Sequence, residues 1–269
     1  MKTALTIAGS DPCGGAGIQA DLKTFSAHGV YGMSVITALT AQNTLGVSGI
    51  QEVDPAFIEK QIEAVFSDIF PDSVKIGMVY DGAAVECIAK QLKKYQPKNI
   101  VVDPVLISTS RDALIKEGGK EALEKLLFPL ATLITPNLLE AEAFAGAAIQ
   151  NKEEMEWAGK MLQEKYHCSV YIKGGHLETE ADDVLITEEK CLWIPGKRIA
   201  NENTHGTGCT LSSAIAAALA KGQSLEESAA RSKAYVTLLI QTGLDLGKGR
   251  GPLCHSAGLQ DLAPWSFFV

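Results

Sequence analysis

The chain has 269 residues, 46% hydrophobic and 21% charged, with a formal net charge of -8 at pH 7; it has apolar mass for a large core and is no disordered polyelectrolyte. Its 24 Lys and Arg are interspersed with 32 Asp and Glu without long blocks, which excludes the electrostatic footprint of a nucleic-acid or anionic-membrane binder and leaves a small molecule as the expected partner. The cysteines at 13, 87, 168, 191, 209 and 254 form no CxxC pair, and neither a signal-peptide pattern nor a long apolar span is present, so reduced thiols and a cytoplasmic location are expected.

In chain order, short apolar runs rich in β-branched residues predict strands over 4–8, 34–40, 74–78, 100–103, 133–135 and 170–173. Helical periods fall between them. The clearest covers 55–70, capped by Asp54 with Pro55 at the first position and carrying Phe57, Ile58, Ile62, Val65, Phe66 and Ile69 on one stripe. The runs 183–187 and 191–195 predict a hairpin edge, residues 210–221 a small-residue helix, and Ser224 with Glu227 a capping box that opens another helix. No stretch resembles a linker, so one domain over 1–269 is expected. Near-continuous apolar strands alternating with helices predict an α/β sandwich: a mostly parallel central sheet with helices on both faces.

Such sheets bind ligands at the carboxyl ends of their strands. There the sequence places Gly9-Ser10-Asp11, Gln42-Asn43, Gly77-Met78, Asp103-Pro104, Pro136-Asn137 with Glu140, and Lys173-Gly174-Gly175-His176. The run Gly15-Ala16-Gly17-Ile18-Gln19-Ala20 meets the GxGxxG/A fingerprint formally. A dinucleotide site also needs an acid ending the second strand, where this chain has Gln42 and Asn43. A glycine-rich loop closing over a small substrate, or a structural turn, is the better reading. No GxxxxGK[ST] sequence occurs, so phosphate must be handled outside a P-loop.

The stretch Asn203-Thr204-His205-Gly206-Thr207-Gly208-Cys209 runs directly into the helix over 210–221. It reads as an anion nest at a helix N-terminus, where the Cys209 thiol pKa is expected to fall below its free value of about 8.5. The plain alternative is a turn before a core helix. Asn137 and Glu140 offer either a carboxylate for Mg²⁺ or an N-cap with Glu at N3. Lys173 is placed to reach a nucleotide phosphate or stands exposed beside a turn. Asp103 joins a metal or phosphate network or ties its turn. His176 and His205 have no carboxylates at ligand spacing and are assigned to no metal.

Together, residues 9–24 (GSDPCGGAGIQADLKT), 35–44 (VITALTAQNT), Lys75-Ile76-Gly77-Met78, Asp103-Pro104-Val105, Ile134-Thr135-Pro136-Asn137, Lys173-Gly174-Gly175-His176 and NTHGTGC resemble the hydroxymethylpyrimidine/phosphomethylpyrimidine kinases of thiamine synthesis, in order and over nearly the whole chain. The resemblance implies a ribokinase-like three-layer sandwich, ATP as cosubstrate, Mg²⁺ as cofactor and a homodimer. The implied reaction phosphorylates 4-amino-5-hydroxymethyl-2-methylpyrimidine, then its monophosphate. It implies the pyrimidine near Gly9, Ala16, Gln42, Met78 and Val105, with the Gln42 amide matching the aminopyrimidine edge. It further implies Gly206, Thr207 and Gly208 as the anion hole, Cys209 where many sugar kinases carry the Asp that accepts the proton, Asn137, Lys173 and Thr204 on the nucleotide, and Glu140 with Asp103 on the metal side.

The sequence departs from the family at Ser110-Arg111-Asp112, where Gly is common at the middle position, and in a tail containing Trp265-Ser266-Phe267-Phe268. Two other functions stay open at this level. A pyridoxal kinase would present a phenolic oxygen to Gln42 in place of the amine, removing half of the amide match. A noncatalytic pyrimidine sensor would have no use for Cys209 and Glu140 beside a glycine run.

Overall fold

The structure, a computed structural model, describes residues 1–107, 114–175 and 181–257. Arg111, His176 and the Trp265-to-Phe268 tail lie outside the described residues. Strand β1 (Thr3–Ser10) is followed by α1 (Gly17–Ala27), then β2 (Tyr31–Asn43), β3 (Gly46–Glu52), α2 (Pro55–Phe66), β4 (Ser73–Ile76), α3 (Gly82–Tyr95) and β5 (Ile100–Val102). After α4 (Gly119–Ala122), a π turn and a 3₁₀ turn come β6 (Leu133–Ile134), α5 (Leu138–Ala145), α6 (Lys152–Tyr166), β7 (Ser169–Ile172), β8 (Asp183–Ile186), β9 (Cys191–Ile194), α7 (Thr207–Ala220) and α8 (Leu225–Thr242).

The strands form one nine-stranded sheet in the order β3-β2-β1-β4-β5-β6-β7-β8-β9. From β2 to β7 all neighbours are parallel, whereas β3, β8 and β9 join antiparallel at the two edges. Alternation along the strands divides the core into two layers. Leu5, Ile7, Val74, Ile76, Val102 and Ile134 pack on one side with residues of α2, α3, α5 and α6. Ala4, Val101, Leu133 and Tyr171 face the other side, against α1, α7 and α8. These are the three layers the alternating pattern predicts.

Three local expectations are corrected. The helix at Pro55 ends at Phe66, with Ser67 as its C-cap, and not at residue 70, leaving Ile69 and Phe70 exposed; Pro71 disfavours helical backbone at residue 70, and Phe57 is exposed as well. Strand β3 is absent from the apolar pattern because its side chains are half-buried or exposed; pairing with β2 and the packing of Val47 and Ile50 hold it. At α8 the Ser224 side chain accepts from the Glu227 N–H, but only this half of the capping box is formed. The complete box is at α5, where Asn137 accepts from the Glu140 N–H at 2.9 Å and Glu140 accepts from the Asn137 N–H at 2.8 Å.

Candidate active site

One end of the candidate site is built on the first turn of α7. Gly206 is its N-cap in the left-handed region at φ 82, and a Cβ there would lie 1.7 Å from the Gly15 carbonyl oxygen. Only glycine permits both. The two glycine-rich loops therefore stack back to back, which accounts for Gly15-Ala16-Gly17 without a dinucleotide. Beyond Gly206, the first-turn N–H groups of α7 lack intrahelical acceptors and carry the positive end of the helix dipole. Thr207 is held by its hydroxyl to the Thr204 carbonyl at 2.8 Å, and Thr210 caps Gly206 O at 2.8 Å.

Lys173 and Asp103 converge on this turn. They bond at 2.7 Å, and the space a Gly208 Cβ would take lies 3.2 Å from Lys173 Nζ and 3.5 Å from Asp103 Oδ2. Asp103 also accepts from Thr135 at 3.1 Å and Ser212 at 3.3 Å. Burial alone would raise the Asp103 pKa, but Lys173 and Lys75 hold it below the usual carboxylate value. Its oxygens are thereby engaged as a counter-ion. Glu140 is 5% exposed, and burial, reinforced by Asp103 and opposed by Lys173, pushes its carboxyl up to about 7. A buried carboxyl so short of positive charge fits a cation, held directly or through water. Asn137 and Lys173 face each other across a parallel bridge, with the Lys173 N–H on the Pro136 carbonyl at 2.9 Å.

The residues expected to seat a ring gather at the other end. Met78 and Val105 share a small apolar cluster with Ala38 and Leu114 below the β2–β3 hairpin. Gly9 adjoins it, since a Cβ there would lie 3.0 Å from Met78 Sδ. Gln42 extends from β2, its amide oxygen accepting from Thr40 at 3.2 Å and its nitrogen lying 3.4 Å from His205 Nε2. Both ends of the amide keep hydrogen-bonding capacity for a ligand.

Between the two ends sits a joint that sequence spacing did not reveal. His205 Nε2 lies 2.9 Å from Asp11 Oδ2, across 194 residues. The same oxygen accepts from the N–H groups of Gly15 at 3.1 Å and Ala16 at 2.8 Å, while Oδ1 accepts from the Cys13 N–H at 3.0 Å. Asp11, Cys13 and His205 place their ligand atoms within 4.8 Å of one another, but the carboxylate is already filled by backbone donors and the imidazole. The available signal was the position of Asp11 at the carboxyl end of β1.

The segment after α8 straps this region. The Lys248 and Gly249 N–H groups donate to Thr44 at 3.1 and 3.2 Å, and the Gly251 N–H to Asn203 at 2.8 Å. The His205 N–H donates to the Gly251 carbonyl at 3.1 Å, and His255 meets Thr210 at 2.9 Å.

The expected low thiol pKa of Cys209 is overturned. The residue keeps a partly exposed surface, yet burial pushes its thiol up to about 11 against the lowering effect of Lys75. Desolvation is the largest cause, and the nearby Asp21 and Asp103 add to it.

A cavity of about 460 Å³ opens between Ile194 to Lys197 and one face of α8 around Lys233 and Thr237. It lies on the same rim, because Ile194 pairs with Asp183, whose neighbour Val184 pairs with Ile172 at the end of β7. Asp183 binds Lys233 at 2.8 Å and the Gly174 N–H at 2.8 Å, tying the cavity wall to the loop that carries Lys173.

Residues 11–254 match the family model described as phosphomethylpyrimidine kinase. The chain is 48% identical to the hydroxymethylpyrimidine/phosphomethylpyrimidine kinase of Rhizobium meliloti, over 94% of this chain and 96% of that protein. It is 48% identical to the thiamine biosynthesis bifunctional protein of Geobacter sulfurreducens, and there spans about half of the relative, 53% of its length. Among solved structures it is similar to a phosphomethylpyrimidine kinase from Clostridium difficile 630, with 49% identity, TM-score 0.80 and 88% and 98% of the two chains covered. An ADP complex of Bacillus subtilis pyridoxal kinase matches with 37% identity, TM-score 0.90 and 97% and 100% covered.

Proposed function

We propose, from the premise that the chain belongs to the phosphomethylpyrimidine kinase family, that its strand-end site transfers the γ-phosphoryl of ATP to the hydroxymethyl oxygen of the aminopyrimidine and then to the resulting monophosphate. The observation that carries this reading is the convergence of Lys173, Asp103 and Cys209 on the open first turn of α7, with an apolar ring seat on the other side. Phosphoryl transfer needs mainly alignment and charge stabilisation. The Gly206-Thr207-Gly208 backbone receives the transferring group, Lys173 contacts the nucleotide phosphates and Asp103 fixes Lys173. Asn137 and Thr204 border the nucleotide.

Glu140 would hold Mg²⁺, which when bound neutralises charge on the phosphates. Cys209 orients the attacking hydroxyl and takes its proton in the minor thiolate form. The cavity between the end of β9 and α8 seats the nucleoside, with Asp183 linking it to Lys173. Gly9, Met78 and Val105 wall the ring, Ala16 sits on its glycine-rich loop, and Gln42 reads its amine and ring nitrogen. On the family resemblance, the whole chain acts as one kinase domain in a cytoplasmic homodimer. Among the described residues no helix is long and apolar enough to cross a membrane.

Incubation with ATP, Mg²⁺ and either the aminopyrimidine or pyridoxal, with products identified by mass, tests the reading. Phosphorylation of the pyrimidine is expected, and its absence refutes the substrate assignment. Gln42→Leu should lower kcat/KM for the pyrimidine by about 1 to 3 kcal/mol, the range of a bidentate base contact. An unchanged value would remove Gln42 from recognition.

A further inference from the structure

Beneath the phosphoryl end lies a buried ion pair that the reaction described above does not use. The Lys75 ammonium donates to both Asp21 oxygens, at 2.9 and 2.8 Å, and both side chains are fully buried. The carboxylate also accepts from Thr6 and from Ser213, each at 2.6 Å. A buried pair of this kind adds little stability over apolar side chains of equal volume. Its placement gives it another role.

Asp21 stands one helical turn beyond Gly17 on α1, and Ser213 one turn beyond Cys209 on α7. Residues four apart share a face. The Gly17 backbone N–H lies near the Cys209 sulfur, lowering its pKa against burial. The two helices are therefore joined by the lower rung, the Asp21 to Ser213 bond, one turn below the approach of Gly17 to Cys209. Lys75 closes the lower rung from β4. Its side chain runs toward the carboxyl end of that strand, where a Cβ at Gly77 would fall 2.6 Å from Nζ. Glycine at 77 leaves the ammonium its room just under the rim. The charged groups acting on Cys209 are Lys75, Asp21 and Asp103, with Lys173.

We propose that Lys75 is a positioning residue for phosphoryl transfer: by fixing Asp21 between α1 and α7, it sets the Cys209 sulfur and the first turn of α7 against the start of α1. This rests on the assignment of Cys209 and that turn to the phosphoryl end. Two variants test it, Ser213→Ala and the charge-neutral pair Lys75→Met with Asp21→Leu, which strands no buried charge. Each is checked by thermal unfolding, then read by kcat, by KM for the pyrimidine and for ATP, and by the iodoacetamide alkylation rate of Cys209 followed by peptide mass.

The expected result is a cooperatively folded protein whose kcat falls about tenfold or more while both KM values stay within about twofold, the mark of misalignment and not of lost binding. Cys209 alkylation should change by at least about threefold, following altered access and polarity around its thiolate. Folded variants with the parent kcat and alkylation rate would overturn the proposal, whatever their melting temperature. If the paired variant fails to fold, Ser213→Ala decides by the same readouts. Failure of the phosphoryl reading itself is separable: Cys209→Ala would then turn over normally, while the alkylation rates still score the positioning.

Discussion

Replacing Asp11 by Asn tests the joint between the two glycine-rich loops. The carboxylate is 2% exposed, and its two oxygens receive the N–H groups of Cys13, Gly15 and Ala16 together with His205. An amide presents only one oxygen. With that oxygen toward Gly15, Ala16 and His205, its NH₂ faces the Cys13 N–H and two buried donors are left opposed; the reverse orientation leaves more. One such orphaned contact, plus the lost charge assistance on the remaining bonds, amounts to about 2 to 4 kcal/mol. For a chain of this size that corresponds to a fall in Tm of roughly 4 to 16 °C.

The loss should also depend on pH. Burial works to raise the Asp11 pKa, but His205 and the backbone donors hold it below its ordinary value. A depressed carboxyl contributes stability that is present above the unfolded pKa and lost as pH falls through the lower folded value. The wild type and Asp11→Asn should therefore differ fully at pH 7 and converge below about pH 4, the unfolded carboxyl range. Urea unfolding at the two pH values reads this, and pyrimidine KM reads the displaced Ala16 loop. A variant within about 0.5 kcal/mol of wild type at pH 7 with unchanged KM would refute the clamp.

Three further outcomes are expected. Because the Cys209 thiol is pushed up to about 11, kcat at saturating substrates should climb with pH through the neutral range without levelling. Cys209→Ala should abolish that climb and cut kcat by roughly 100-fold, with nucleotide binding nearly intact; a flat wild-type profile would remove the proton-accepting role. Glu140→Gln should raise the Mg²⁺ concentration for half-maximal rate by about tenfold or more. The wild-type requirement should itself rise as pH falls below about 7, where Glu140 protonates, and metal titrations at pH 6 and 8 check both. His255 is buried beside Thr210 and burial lowers its pKa to about 4. Its contribution is fully present above about pH 6.5 and lost as pH falls toward about 4. His255→Gln should remove up to about 3 kcal/mol of that acid sensitivity in urea unfolding, and an unchanged difference between pH 7 and pH 4 would count against it.

The sheet was legible because its central strands are buried on both faces and therefore read as continuous apolar runs. The same physics hid β3, whose half-buried and exposed side chains leave no pattern, and mislocated the end of α2, where Ile69 and Phe70 extend the stripe although the helix ends at Phe66. Motifs at strand ends located Asp103, Glu140, Lys173 and Gly206 to Cys209, since topology forces such positions to one rim. The Asp11 to His205 contact was beyond reach, because partners separated by 194 residues leave no spacing to read. The Cys209 pKa was misjudged for a related reason: a helix N-terminus is local and visible in sequence, whereas the desolvation that raises the thiol is set by tertiary packing.

The strap after α8 also sets the order in which the working molecule can be completed. Thr44, Asn203, His205 and Thr210 take their last partners from residues 248–255. A ribosome-bound chain can assemble the sheet from its N-terminal strands as they emerge, yet both glycine-rich loops wait for residues 248–255, which follow every strand of the sheet. A nascent chain that lacks residues 248–255 would thus hold the scaffold of the site with its loops unbraced, so bracing of the site arrives with that segment and not with formation of the core.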